Sequence, residues 1–292
     1  MEIINSYRKE SIQHRISKEQ KIKSSKNNKF SLKNYFKQKL LSSKFINLIF
    51  KHNPSNLILN KVDFEFKDLP KNFNNYKILF LSDLHLDIEP NSLDYIDNLN
   101  INNDIDILIL GGDIFDKPNF NKNDIANLKK LLSKFNVKKK IAVLGNHDSY
   151  NIIDKEEELG IKFLLNESIK INKNNESIIF TGFDDYTLFH SFNMTNCLIK
   201  DNNFKIAISH NPDLLIDCKV NDYNLQLSGH THGGQIKLPF IIESSHTKYS
   251  KCIKGKWKHN LFYGFTSSGF GCSTYPLRNI PAEIVLINLR RI

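Results

Sequence analysis

Cysteine is scarce and unpaired: Cys197, Cys218, Cys252 and Cys272 lie far apart and form no Cys-x-x-Cys. That spacing argues against a disulfide framework or a thiolate zinc site and fits a reducing compartment. Long apolar runs are missing too. No stretch approaches the roughly 20 residues needed to span a bilayer as a helix. The first residues carry charge where an export signal needs its apolar core, so no secretory signal is expected. Internal repeats are lacking, as are low-complexity linkers outside the N-terminal region.

Negative charge is nearly missing from one place. Residues 1–53 hold 13 Lys and Arg against 3 Asp and Glu, so this region alone carries the net +10 of the whole chain. The remainder holds 28 residues of each sign and is formally neutral. This is a basic arm, residues 1–56, ahead of a neutral domain, residues 57–292; a nucleic-acid-binding body would be basic throughout. Residues 1–32 are rich in Lys, Ser and Asn and read as mobile, with some helical stretches. On a helix over residues 33–51, Leu41, Phe45, Leu48 and Ile49 share a face edged by Lys33, Lys37, Lys44 and Lys51. Two readings fit that pattern equally: an interfacial membrane helix, or a helix packed on its own domain.

What is present is the composition of a globular protein, 40% apolar and 25% charged over 292 residues, enough for one large domain or two small ones. Residues 57–66 read as an edge strand. Short apolar runs at 77–81, 106–110 and 140–144 read as buried strands, with helices expected at about 91–100 and at 124–135. Further strands are expected at 177–181, 204–209, 223–227, 261–266 and 283–289. Successive βα units argue for an α/β sheet with ligand groups at the carboxyl ends of its strands.

Polar residues gather at those ends. Asp83 and His85 follow the first run, Asp113 and Asp116 the second, and Gly145-Asn146-His147-Asp148 the third. His210 follows residues 204–209, and Gly229-His230-Thr231-His232-Gly233-Gly234 follows 223–227. Singly, each set has a plainer reading: a cap, a turn carboxylate, a core histidine, a surface histidine pair. Five sets, each after a predicted buried strand, point to a metal site. Histidines two apart in a tight turn can reach two neighbouring ions, Asn146 supplies a neutral amide oxygen, and His147 serves as ligand or acid. Lys117 is either a phosphate contact or a solvated side chain, and Asp184 and Asp185 lie near the pocket with no assigned role.

D-x-H, G-D, G-N-H-D, a lone His and G-H-x-H, in that order, resemble the signature of the calcineurin-like metallophosphoesterases. Gly229–Gln235, with Ser267-Ser268-Gly269 and Pro281-Ala282-Glu283-Ile284, is most similar to the bacterial YkuE/YaeI-type phosphodiesterase branch. The resemblance covers about residues 57–292. Asp87 departs from it, where many members carry Gly, with little effect expected on the metals. It implies a four-layer α/β/β/α sandwich of two mixed sheets with a dinuclear centre at the strand ends. Carried over by position, Asp83, His85, Asp113 and His232 hold one ion; Asp113 bridges to a second completed by Asn146, His210 and His230. His147 is implied as the general acid and Asp116 as the carboxylate orienting it. Carboxylate, imidazole and amide ligands suit Mn first, with Fe or Zn next, rather than Ca. A two-metal-activated hydroxide would then attack phosphorus.

The expected function is therefore hydrolysis of a phosphodiester or pyrophosphate in a small or lipid-linked substrate, a UDP-carrying lipid A precursor such as UDP-diacylglucosamine being the first to try. The expected place is the cytoplasm, peripheral on the inner, anionic face of the membrane. A nuclease is the alternative, opposed by the neutral catalytic half. A non-enzymatic scaffold is a third reading, opposed by the complete ligand set. No protein partner is legible.

Overall fold

The structure, a computed structural model, describes residues 1–3, 7–26, 53–101, 104–197, 202–235, 247–248, 252–260, 262–273 and 277–292. Along the chain the strands are β1 (Glu2–Ile3), β2 (Ile58–Phe66), β3 (Tyr76–Leu81), β4 (Ile107–Leu110), β5 (Lys140–Ala142) and β6 (Lys162–Phe163). They continue as β7 (Glu167–Lys173), β8 (Glu176–Phe183), β9 (Phe204–Ser209), β10 (Leu225–Ser228), β11 (Gly255–His259), β12 (Phe262–Thr266) and β13 (Glu283–Arg291). The α-helices are α1 (Arg8–Lys26), α2 (Lys122–Ser133), α3 (Glu156–Leu159) and α4 (Leu215–Val220).

Among the described residues the strands form two mixed sheets, in the orders β2-β13-β3-β4-β5-β6 and β1-β7-β8-β9-β10-β12-β11. β3 to β6 run parallel, as do β8, β9, β10 and β12. Antiparallel pairs flank both blocks.

The apolar runs of the parallel strands follow from burial on both faces. In β3 and β4, Ile78, Phe80, Ile107 and Ile109 face the other sheet, meeting Phe204, Ile206, Ile208, Leu225 and Leu227. Their neighbours Leu79, Leu81, Leu108 and Leu110 turn outward onto Leu128, Leu131 and Leu132 of α2. Ala207 of β9 packs beneath Leu215 and Cys218 of α4. The layers are thus α/β/β/α, as expected, with the second helical layer thin. α2 begins in a capping box: Asn121 Oδ1 accepts from the Asn123 amide at 2.7 Å, and Asp124 Oδ2 from the Asn121 amide at 2.7 Å.

Two expectations change. The helix expected at about 91–100 is a 3₁₀ helix, Pro90–Asn98. Residues 1–32, expected to be mobile, include β1, which pairs with β7, and α1, which docks on the domain. α1 buries Ser11, Arg15 and Glu19, a polar stripe at steps of four. The helix expected at 33–51 lies outside the described residues. No helix among the described residues is long and apolar enough to cross a membrane.

Candidate metal centre

Each polar set emerges where a parallel strand ends, so the carboxyl ends of β3, β4, β5, β9 and β10 converge from both sheets. The chain turns there abruptly. Asp83, His85, Asp113, His230 and His232 all have positive φ, between 43° and 71°. Each such residue costs about 1–2 kcal/mol, so the surrounding contacts must over-determine the loops.

They do. The Asp83 amide donates to Gly112 O at 2.9 Å and the His85 amide to Asp113 O at 3.1 Å, zipping the loops after β3 and β4 together. The His230 amide donates to the Asp83 carboxylate at 3.0 Å, and the His147 amide to Asp113 Oδ1 at 2.8 Å. Two glycines allow this closeness. A Cβ on Gly145 would fall 2.1 Å from Asp113 Oδ1, and one on Gly229 would fall 2.3 Å from Asp83 Oδ2.

Three groupings of donor atoms result: Asp83, His85 and His232; Asp83, Asp113 and His210; and His85, Asp116 and His147. In the first, the Nε2 atoms of His85 and His232 stand 3.3 Å apart, and His232 Nε2 lies 3.3 Å from Asp83 Oδ1. Asp113 lies between groups: its Oδ2 is 3.1 Å from His210 Nε2 and 4.0 Å from His85 Nε2. His210 Nδ1 bonds Gly111 O at 2.8 Å, which fixes the ring and turns Nε2 inward. The His230 ring packs edge-on to His210, centroids 5.1 Å apart. Asn146 Oδ1 and His232 Nδ1 are buried without a hydrogen-bond partner.

The electrostatics show what the cluster needs. Burial raises the Asp83 carboxyl above its ordinary value. Burial also opposes charge on Asp113, but His210 and His147 outweigh it and hold Asp113 well below the carboxylate range. His210 loses to burial and gains more from Asp113 and Asp83, which push it up to about 10. His232, beside His85, is driven well below 6.5, by burial first. Buried this close together, the two carboxylates favour positive charge between them. Two carboxylates, four imidazoles and an orphaned amide oxygen fit borderline divalent cations well.

His147 and Asp116 sit beside this cluster. His147 Nδ1 bonds Asp116 O at 2.9 Å and lies 3.4 Å from Asp116 Oδ1, an oxygen also 3.4 Å from His85 Nδ1. The His147 side chain keeps 27% of its exposure, whereas that of His85 keeps none. Burial works against its charge, yet Asp113 and the Asp116 carbonyl and carboxylate raise it overall.

Several residues organise the site in ways not read from the sequence. Asp148, the last residue of the Gly-Asn-His-Asp set, accepts from the amides of Ile114 at 2.8 Å and Gly145 at 2.9 Å, binding two loops together. Asp87, the departure from the family pattern, accepts from the Asp116 amide at 2.6 Å and the Lys117 amide at 3.1 Å. Arg278 donates to the carbonyls of Ser268, Gly271, Ile280 and Pro281, shaping the loop whose Gly269 stands against Asp83. Asp184 points to Arg15 of α1 at 2.9 Å, and Asp185 accepts from the Phe189 amide at 2.6 Å.

Comparison with known proteins gives concordant matches. The family model described as calcineurin-like phosphoesterase matches residues 76–234. The chain is 30% identical over 239 residues to the metallophosphoesterase YkuE of Bacillus subtilis, covering 76% of this chain and 82% of that protein. It is 28% identical over 247 residues to metallophosphoesterase YkoQ of the same organism, covering 78% and 88%. To the phosphodiesterase YaeI of Escherichia coli it is 30% identical over 250 residues, covering 80% and 87%.

Proposed function

The chain belongs to the calcineurin-like phosphoesterase family, hydrolases of phosphoester bonds, and on that premise we propose that it cleaves phosphodiester or pyrophosphate bonds at a dinuclear Mn centre. The single observation that carries this reading is the position of Asp113 Oδ2, within 4.0 Å of ring nitrogens from both ligand groups. In this reading Asp83, His85, Asp113 and His232 hold one ion, and Asp113, Asn146, His210 and His230 the other. Bound there, two divalent ions supply Lewis acidity, lower the pKa of a coordinated water and neutralise charge on the phosphoryl oxygens.

The chain's own groups do the rest. Asp113 fixes the spacing of the two ligand sets and, through the His147 amide, the loop carrying the acid. His147 Nδ1 is engaged by the Asp116 carbonyl, so Nε2 is the atom left to give a proton to the leaving oxygen. Burial opposes a second proton on this ring, while Asp113 and the Asp116 carbonyl and carboxylate favour it and raise its pKa overall. The Asp116 carboxylate lies on the same Nδ1 edge of the ring, and Asp87 holds the Asp116 amide.

For substrate class we propose a lipid-linked phosphodiester or pyrophosphate, UDP-diacylglucosamine being the first to test, met at the inner, anionic face of a membrane. Supporting this is the charge of residues 27–53, six Lys with no Asp or Glu. Each Lys near such a surface contributes about 1 kcal/mol. The basic arm over 1–56 and the catalytic domain over 57–292 remain our division of the chain, with α1 of the arm held on the domain. Replacing the six Lys by Gln in the full chain should abolish sedimentation with anionic vesicles; unchanged sedimentation would remove the membrane from the proposal.

The catalytic reading is tested by a substrate panel: an aryl phosphodiester, a phosphomonoester, the nucleotide-lipid pyrophosphate, and single-stranded and duplex nucleic acid. Diester or pyrophosphate turnover should vanish with a strong chelator, return best with Mn, and be lost together with bound metal in Asp113→Ala. Turnover that survives chelation, or a preference for nucleic acid, would defeat it.

A further inference from the structure

Arg15 takes no part in the reading above, yet it is the largest fully buried side chain among the described residues. All three nitrogens of its guanidinium donate hydrogen bonds. Nε donates to Glu19 Oε1 at 3.0 Å, Nη1 to Asp184 Oδ1 at 2.9 Å, and Nη2 to Gly145 O at 3.0 Å and Asp148 O at 2.6 Å. Its flat face lies 3.6 Å from the centre of the Phe189 ring. Glu19, one turn along α1, continues the same contact. Its Oε1 accepts from the Tyr150 amide at 2.9 Å and its Oε2 from Ser149 Oγ at 3.1 Å.

Two side chains of α1 therefore grip residues 145, 148, 149 and 150, on both sides of Asn146 and His147. From the opposite direction the Asp148 carboxylate ties the same loop to the Ile114 amide. The loop is stretched between a helix near the N-terminus and the end of β4. Docking of α1 has other anchors as well. Arg8 fastens the helix to Glu156, Glu167 and Phe163 O, all outside residues 145–150, and β1 pairs with β7. A planar fork reaching two carbonyls and two carboxylates at once is something Arg offers and Lys does not.

We propose that α1 is a built-in clamp on the Gly145–Asp148 loop, with Arg15 as a positioning residue that sets Asn146 for the second ion and His147 for the leaving oxygen. The clamp rests on the reading of Asn146 as ligand and His147 as acid. It has a reciprocal consequence: if α1 favours ion binding, ion binding must favour the docked α1.

The test uses the full chain. Arg15→Lys should keep a native circular dichroism spectrum, bind the second Mn about 10–100-fold more weakly by calorimetry, and lose about 10–100-fold in kcat. The kcat loss should be larger for poor leaving groups. Guanidinium ion should restore part of the activity lost in Arg15→Ala. Arg8→Ala, which removes an anchor outside residues 145–150, should lower Tm while costing far less ion affinity than Arg15→Lys. In the wild-type chain, Mn should slow hydrogen exchange in residues 11–19 as well as in 145–150, a readout that needs no variant. Wild-type ion affinity in a folded Arg15→Lys, equal loss of affinity in Arg8→Ala, or exchange in α1 indifferent to Mn would each overturn the clamp. A wild-type chain that binds no Mn and hydrolyses no ester would instead overturn the underlying catalytic reading.

Discussion

His147 is positioned by its backbone and its ring at once. Its amide holds Asp113 Oδ1 and its Nδ1 holds the Asp116 carbonyl, so only Nε2 is available to a substrate. Removing the ring leaves the amide contact intact. His147→Ala should therefore keep its metal content while losing on the order of 10²–10⁴-fold in rate. The loss should shrink for substrates with good leaving groups, which need less protonation. Loss of an ion in elemental analysis, or an equal loss across leaving groups, would make His147 a ligand or a positioning residue. At this scale the sequence was most legible, because residues that could ligate stood directly after predicted buried strands. It was least legible where a residue acts through backbone groups. Asp148 and Asp87 hold loops by accepting amide protons, and no spacing rule marks such a partner.

The elements show where pattern reading holds and where it fails. β3 and β4 were plain from sequence because both faces are apolar and both are buried. The 3₁₀ helix Pro90–Asn98 reads like an α-helix because Leu93 and Ile96, its buried apolar residues, stand three apart, a spacing both helices share. β11 was missed because it is an edge strand with one buried residue, Trp257. The docking of α1 was missed for a different reason: its buried stripe is polar, so apolar periodicity is silent on it. The loops between elements carry the tightest constraint, and Gly145 tests it. Gly145→Ala would drive a methyl into Asp113 Oδ1, and such overpacking typically costs about 1–3 kcal/mol. The strain falls on the carboxylate between the two ligand groups. The variant should fold with a lowered Tm and bind Mn much more weakly than wild type. Unchanged Mn affinity by calorimetry would mean the loop shifts without disturbing Asp113.

For the molecule as a whole, the two sheets bring like charges together and leave them to be balanced. The layered fold was legible in the sequence; the balance of charge among His210, Asp113 and Asp83 was not. That balance makes stability depend on pH in a way ions should abolish. His210 is raised from 6.5 to about 10 in the folded chain. A raised group stabilises fully below its unfolded value, and that stabilisation is lost as pH rises toward the folded value. The window for His210 thus runs from about 6.5 to 10. His147, also raised, acts with the same sign from 6.5 upward. Raised Asp83 has the same sign, but its loss begins far lower, near 3.8. His232, depressed, contributes stability that is lost as pH falls below 6.5, so it is flat in the His210 window. The chelated chain should therefore melt at progressively lower temperature as pH is raised from about 7 to 9. The Mn-loaded chain should not follow, because ligating His210 has already given up its proton and ion binding strengthens as proton competition eases. Calorimetric melting of both forms across that range decides the matter: divergence with rising pH supports His210 as a ligand, and parallel curves remove it from the set.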